Sequence, residues 1–150
     1  MKQHFVFAAI ALIVFGVMAG YHALFPPPPA DYRIVYLGSK TCGICKHWKA
    51  RVLPEWQRDP ASKTAELELA RLNGNPFRGG YGAHNDVFQE AFGNKRRISY
   101  PSFVLYNHGE IERVFVGLSG WNAIEKRVRS EAKRVEKLTD RDLSAAPDRA

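Results

Sequence analysis

Residues 33–45 read RIVYLGSKTCGIC, and this stretch decides the predicted fold. Its first half is rich in β-branched and aromatic residues and ends at Gly38, which is typical of a β-strand. After the second cysteine, apolar residues recur at helical spacing as far as Trp56. Cys42 and Cys45 therefore lie where a strand gives way to the first turn of a helix.

The position of this cysteine pair indicates redox chemistry. The first turn of a helix brings the two thiols close together, and its free N–H groups and dipole stabilise a thiolate. Lys40, Lys46 and Lys49 add positive charge nearby in the sequence. We therefore expect Cys42 to be the nucleophile, with a pKa below that of a free thiol, and Cys45 to be a buried resolving thiol.

The pair has other uses in proteins. A structural disulfide would close so small a ring that it would stabilise the fold little. Zinc or copper binding needs further ligands, and His47, His84 and His108 are scattered rather than at paired spacing. Haem attachment needs a histidine directly after the second cysteine, where this chain has Lys46. Disulfide exchange is the leading hypothesis, and a non-catalytic metal-handling or partner-docking module is the alternative.

Further strands and helices are predicted after the first helix. Residues 67–72, 102–106 and 111–116 have strand character, and the turn signal NHGE joins the last two as a hairpin. A short helix capped by Asp86 precedes the hairpin, and a long helix capped by Ser119 follows it. The order βαβαββα predicts an α/β fold, with a mixed central sheet flanked by helices on both faces.

The first 25 residues are not expected to belong to this domain. Residues 5–25 contain no Asp, Glu, Lys or Arg, and as a helix they are about 31 Å long, close to the hydrocarbon core of a bilayer. They predict a transmembrane anchor or, alternatively, a signal peptide cleaved after Ala19. Residues 26–31, with four consecutive prolines, form a stiff linker. Residues 32–138 form the domain, and the polar residues 139–150 a disordered tail.

This organisation predicts an exported protein. We expect a single pass of the inner membrane with the domain on the periplasmic side, or secretion to the periplasm after cleavage. The net charge of +7 fits a solvated surface, attraction to anionic lipid or acidic partners. We expect no nucleic-acid partner, because an exported domain meets little nucleic acid. The two cysteines are too few for a disulfide scaffold.

Over residues 32–138 the chain resembles the thioredoxin-like family. The resemblance rests on the strand leading into Cys42-Gly43-Ile44-Cys45, on Pro54 in the following helix, on Ile98-Ser99-Tyr100-Pro101-Ser102 before the hairpin, and on the amphipathic last helix. It implies a thioredoxin-like fold with a cis Tyr100-Pro101 bond beside the dithiol. It also implies that the Tyr100 backbone pairs with substrate like an added strand.

The resemblance implies a thiol–disulfide oxidoreductase of the protein-disulfide reductase kind. Its partners would be periplasmic protein dithiols or disulfides and a separate redox partner, with no cofactor and no metal. The chain departs from thioredoxins proper at Thr41, where a tryptophan is usual, at Ile44 instead of proline, and at Tyr36 instead of a buried acid. Membrane-tethered periplasmic relatives that serve cytochrome c maturation, sulfur oxidation or oxidative folding fit this layout better.

Overall fold

The computed structural model describes residues 31–73, 75, 78–93, 95 and 98–145. The predicted anchor or signal peptide of residues 1–25, and the proline-rich linker apart from Asp31, lie outside these residues. Within the described part, no helix combines the length and the apolar composition that a membrane span requires.

Four strands of the described residues form one mixed sheet in the order β2-β1-β3-β4. The first strand, β1 (Tyr32–Ser39), pairs in parallel with β2 (Ala65–Leu72) and antiparallel with β3 (Ser102–Asn107). The edge strand β4 (Glu110–Val116) pairs antiparallel with β3. The mixed sheet and the order of elements predicted from the sequence are confirmed.

The hairpin between β3 and β4 has a two-residue turn. His108 and Gly109 both have positive φ angles, 52° and 83°. Such turns twist the chain in the same sense as the strands they join, which is why two-residue hairpins use them. The turn joins Asn107 to Glu110, which are paired in the register of β3 and β4. In the separate pairing of β3 with β1, Ser102 lies beside Leu37, near the end of β1.

The helix after β1 is interrupted in its middle. It consists of α1 (Gly43–His47), a π-helical segment (Trp48–Val52) and α2 (Leu53–Arg58). Pro54 has no N–H for an ordinary helical bond, but it lies in the first turn of α2, directly after the wider π turn, where no such bond is needed. The proline therefore begins a new helical segment rather than kinking a continuous helix.

Different helices cover the two faces of the sheet. Alternate residues of a strand point to opposite faces, so Ile34 and Tyr36 of β1 face one side and Val35 and Leu37 the other. The first side is covered by α1, α2 and the last helix, α4 (Gly117–Ala145). The second side is covered by α3 (Asn85–Phe92). Two separate cores result, which share the central strands.

The last helix is longer than expected. It continues to Ala145, so residues 139–145, predicted as part of a disordered tail, are helical, and residues 146–150 lie outside the described part. Residues 121–145 contain no Gly or Pro, and Thr139 Oγ1 donates to the carbonyl of Val135 at 3.0 Å. Helix propensity thus extends the helix beyond the residues that pack against the sheet. Asp86 and Ser119, predicted as caps, lie inside the first turns of α3 and α4.

Candidate active site: the Cys42–Cys45 dithiol

The two cysteines lie at the amino end of α1, beyond the carboxyl end of β1. Cys42 is the N-cap residue of α1, with φ −79° and ψ 115°, and its Sγ accepts a hydrogen bond from the Cys45 N–H at 3.1 Å. The sulfur thus takes the place that a Ser or Asp oxygen usually takes at a helix start. Both side chains are free thiols.

The two thiols differ in exposure. Cys45 is 1% exposed, which confirms the prediction that it is buried, whereas Cys42 is partly exposed. A protein partner can therefore reach Cys42 directly, while Cys45 is covered by the core on the α1 side of the sheet. Ile44, between them, is 50% exposed and gives this end of the molecule an apolar contact point.

The pKa of Cys42 is raised, contrary to the expectation from sequence. Partial burial is the largest cause and the Cys45 thiol raises the pKa further, while the N–H groups of Cys45 and Ile44 lower it. The expected lowering does not occur because these N–H groups do not outweigh burial. Lys40 and Lys46 are exposed, so water and salt screen their charges.

A buried tyrosine, Tyr36, lies in the core beneath the dithiol. Its ring stacks on Trp48 at 4.7 Å between centroids, and Lys49 Nζ lies 4.8 Å from its centroid. The hydroxyl has no hydrogen-bond partner of ordinary geometry in the described residues. Burial raises the pKa of Tyr36 far above its usual value, and the Cys45 thiol adds to this effect. The phenol therefore stays protonated.

Gly38 makes room for this tyrosine. Residues 36 and 38 of β1 point to the same face, and a Cβ on Gly38 would overlap the Tyr36 hydroxyl. In the sequence Gly38 indicates only the end of a strand. In the structure it is also the residue that lets Tyr36 lie along the sheet toward the cysteines.

A second buried tyrosine, Tyr81, approaches the site from the segment before α3. It is 3% exposed and stacks on Phe88 at 5.3 Å between centroids. Burial raises the pKa of Tyr81 most, followed by Tyr100 and then the charge of Cys45. Nothing in the sequence marks Tyr81 as part of the site, because it lies in the glycine-rich stretch 79–82, whose composition is typical of an exposed loop.

Tyr100 and Pro101 lie at the same end of the sheet as the dithiol. Their peptide bond is cis, as the resemblance implied. Pro101 is buried, and its carbonyl accepts the Gly117 N–H at 2.8 Å. Tyr100 is partly buried, and both Tyr100 and Cys42 pack against the core on the α1 side. All four residues predicted for the site are thus at one end of the fold.

The metal-binding alternative needs ligands besides the two cysteines. The described residues include no group of three or more His, Cys, Asp and Glu side chains placed to hold a metal ion. His47 is exposed on α1, His84 Nε2 lies 3.0 Å from Glu68 Oε2, and His108 lies in the hairpin turn. These histidines therefore do not complete a site with Cys42 and Cys45.

No protein-family model matches this chain, and no curated protein matches it. The solved structures to which it is similar include three thioredoxins. For that of Malassezia sympodialis (Mala s 13), the alignment has 14% identity, covers 67% of this chain and 75% of that chain, and gives a TM-score of 0.47. For mitochondrial thioredoxin 3 from Saccharomyces cerevisiae, the alignment has 19% identity, covers 67% of this chain and 78% of that chain, and gives a TM-score of 0.47.

The third is the periplasmic thioredoxin SoxS from Paracoccus pantotrophus. Its alignment with this chain has 13% identity, covers 68% of this chain and 99% of SoxS, and gives a TM-score of 0.46. The strand order β2-β1-β3-β4 and the dithiol at the start of α1, rather than these overall likenesses, make this a thioredoxin-like α/β fold.

Proposed function

We propose that this protein is a thiol–disulfide oxidoreductase that exchanges disulfides with protein substrates through Cys42 and Cys45. One observation carries the proposal: a reachable sulfur caps a helix, and a second, buried sulfur follows one turn later. This arrangement allows one thiol to meet a partner and the other to complete the reaction within the same chain.

The reaction takes place in two steps. The Cys42 thiolate attacks one sulfur of a substrate disulfide, and the other substrate sulfur leaves and takes up a proton. Cys45 then loses its proton and attacks Cys42 Sγ, which releases the second substrate thiol. The protein ends with a Cys42–Cys45 disulfide, and the substrate has gained two electrons and two protons. A separate dithiol partner returns the protein to its reduced form.

The reducing direction is supported by the chemistry around Cys42. An oxidant of this kind owes its potential to a strongly stabilised thiolate, which favours the reduced form. Here burial and the Cys45 thiol raise the pKa of Cys42, and the N–H groups that stabilise its thiolate do not outweigh them. We therefore propose a protein-disulfide reductase, with a reduction potential nearer to about −270 mV than to about −120 mV.

Substrate binding and location complete the proposal. We propose that the Tyr100 backbone, which precedes β3 by two residues at the dithiol end of the sheet, pairs with an extended substrate segment. The uncharged stretch 5–25 supports a domain that acts on the periplasmic side of the inner membrane, tethered by this stretch or released after its cleavage.

Single-cysteine variants of the full chain test the proposal. Cys42→Ser is expected to abolish reduction of insulin disulfides. Cys45→Ser is expected to accumulate a mixed disulfide with insulin that dithiothreitol releases, seen by intact mass. Ser39→Ala, a change of similar size near the site, is the control and should keep wild-type activity. Undiminished disulfide reduction by the Cys42→Ser/Cys45→Ser double variant would rule the proposal out.

A further inference from the structure

Acidic residues are absent from the stretches of sequence that carry the dithiol and the residues placed beside it. These stretches are residues 34–50, which include the dithiol, residues 69–85, which include Arg71, and residues 91–102, which include Tyr100 and Pro101. By sequence they contain eight Lys or Arg residues and none of the chain's 15 Asp and Glu residues. In the sequence, these three stretches thus have a positive charge and no negative one, in a chain of +7 overall.

Four described cations lie near the dithiol in the sequence or in the fold, and we call them the basic rim: Lys40, Lys46, Lys49 and Arg71. Lys40 precedes Cys42 by two residues, and Lys46 directly follows Cys45. Arg71 lies opposite Gly38 in the register of β1 and β2, at the end of the sheet where the dithiol lies. Lys40, Lys46 and Arg71 are exposed, and Lys49 is partly buried over the Tyr36 ring.

Three arginines elsewhere in the fold have acidic partners. Arg33 pairs with Glu68, Arg127 pairs with Glu112, and Arg129 pairs with both Asp59 and Glu125. Among the residues that the structure describes, no ion pair includes a member of the basic rim. The rim cations also act on one another, since burial and then Arg71 lower the pKa of Lys49.

We propose that the basic rim recruits disulfide-bonded protein segments that carry Asp or Glu beside their cysteines. The proposal rests on the proposed oxidoreductase function and specifies its substrate class. An uncompensated positive field around a reactive group attracts acidic partners and speeds their association. The exposed Ile44 adds an apolar contact between the two cysteines.

An acidic protein segment fits this surface better than an anionic membrane does. The rim lies at the same end of the fold as the sulfur that must meet a substrate, so a lipid surface bound to these cations would compete with substrates for access to Cys42. A flexible acidic segment can instead contact the rim while it presents its own disulfide to Cys42 Sγ.

Two synthetic peptides with the same disulfide loop test the proposal, one flanked by Asp and Glu and the other by Lys. The reduced full-length protein is expected to react with the acidic peptide at least about tenfold faster at low ionic strength. At high salt the difference should shrink to about twofold, because the field is screened within a few ångströms. The readout is the second-order rate constant of disulfide exchange.

Charge-reversal variants assign the effect to the rim. Lys46→Glu/Arg71→Glu is expected to remove or invert the preference for the acidic peptide. Lys63→Glu/Lys133→Glu makes the same change of charge at exposed positions away from the dithiol and should keep the preference. The neutral variant Lys46→Gln/Arg71→Gln should give an intermediate preference for the acidic peptide. It keeps the test valid if the charge-reversed variant does not fold.

The outcomes separate this inference from the proposed function. Equal rates for the two peptides at low salt would overturn the inference and leave the oxidoreductase intact. No exchange with either peptide would overturn the proposed function itself. Lipid vesicles are a further test, read out by alkylation of Cys42. If phosphatidylglycerol vesicles protect Cys42 from the alkylating reagent and phosphatidylcholine vesicles do not, the rim binds lipid and the inference is overturned.

Discussion

The two faces of the sheet are held by different interactions. On the α1 side, three fully buried tryptophans pack against one another edge to face. Trp121 lies 5.0 Å from Trp48 and 5.4 Å from Trp56, measured between ring centroids. This aromatic core also covers Cys45. Because its contacts are apolar, its contribution to stability does not depend on the protonation of any group.

The α3 side combines an apolar core with a set of partly buried polar pairs. Glu68 accepts hydrogen bonds from Arg33 and lies 3.0 Å from His84 Nε2. Tyr106 donates to Glu90 of α3 at 3.1 Å. These pairs connect β1, β2 and β3 to the segment that carries α3. The comparison teaches that the dithiol is built on an aromatic core, with the ion pairs of α4 outside that core, while the opposite face carries partly buried polar pairs that join its strands to the α3 segment.

The largest effect is expected from crowding the α1 face. Gly38→Ala should lower the free energy of unfolding by about 1–3 kcal/mol, because the new methyl group would displace the buried Tyr36. Urea unfolding measures the change. Gly43→Ala is the matched control, since its methyl group would meet no atom within 4 Å, and it should leave stability equal or slightly higher. Equal effects of the two substitutions would mean that Tyr36 does not occupy this space.

An acid-dependent effect is expected on the α3 face. Hydrogen bonding from Arg33 is the main cause that lowers the pKa of Glu68 from its ordinary value of 4.5, and His84 contributes. A carboxyl with a depressed folded pKa stabilises the fold above the ordinary value, and that stabilisation is lost as the pH falls through the folded pKa. Glu68→Gln should therefore flatten the fall of stability below about pH 4.5.

Urea midpoints between pH 6 and pH 3 measure this difference. Glu66→Gln, which removes an exposed carboxylate from the same strand, is the control and should keep the wild-type slope. A wild-type slope in Glu68→Gln would show that the Arg33–Glu68 pair does not link the α3 face to pH.

The smallest effect is expected from a matched pair of tyrosines. Tyr36→Phe removes a buried hydroxyl without an ordinary partner and should leave stability unchanged or raise it by up to about 1 kcal/mol. Tyr106→Phe breaks the bond to Glu90 and should cost about 0.5–1.5 kcal/mol. Thermal unfolding of both variants gives the comparison. A loss in Tyr36→Phe as large as that in Tyr106→Phe would reveal a stabilising partner for the Tyr36 hydroxyl.

The sequence was sufficient to predict what depends on local pattern. The strands have β-branched or alternating residues, the NHGE signal marks the hairpin, and the spacing of Cys42 and Cys45 places both at a helix start. Trp48 and Trp56, which recur at helical spacing, are both buried. These features follow from residues close to one another in the chain.

Features that depend on distant contacts were not predictable in this way. The pKa of Cys42 depends on how far the core covers it, and the burial of Tyr81 depends on a strand and a helix that pack around it. Apolar periodicity also does not reveal two features of the helices. The π-helical segment before Pro54 depends on the hydrogen bonding around the proline, and the helical residues 139–145 depend on helix propensity.

The most direct test of the account is the equilibrium reduction potential of the Cys42–Cys45 pair in the full chain. The thiol and disulfide forms are counted by intact mass after equilibration with glutathione or dithiothreitol buffers. We predict a single two-electron transition between dithiol and disulfide at a potential nearer to about −270 mV than to about −120 mV. A potential near about −120 mV would contradict the reductase direction, and cysteines that form no disulfide in any of these buffers would contradict the proposed function altogether.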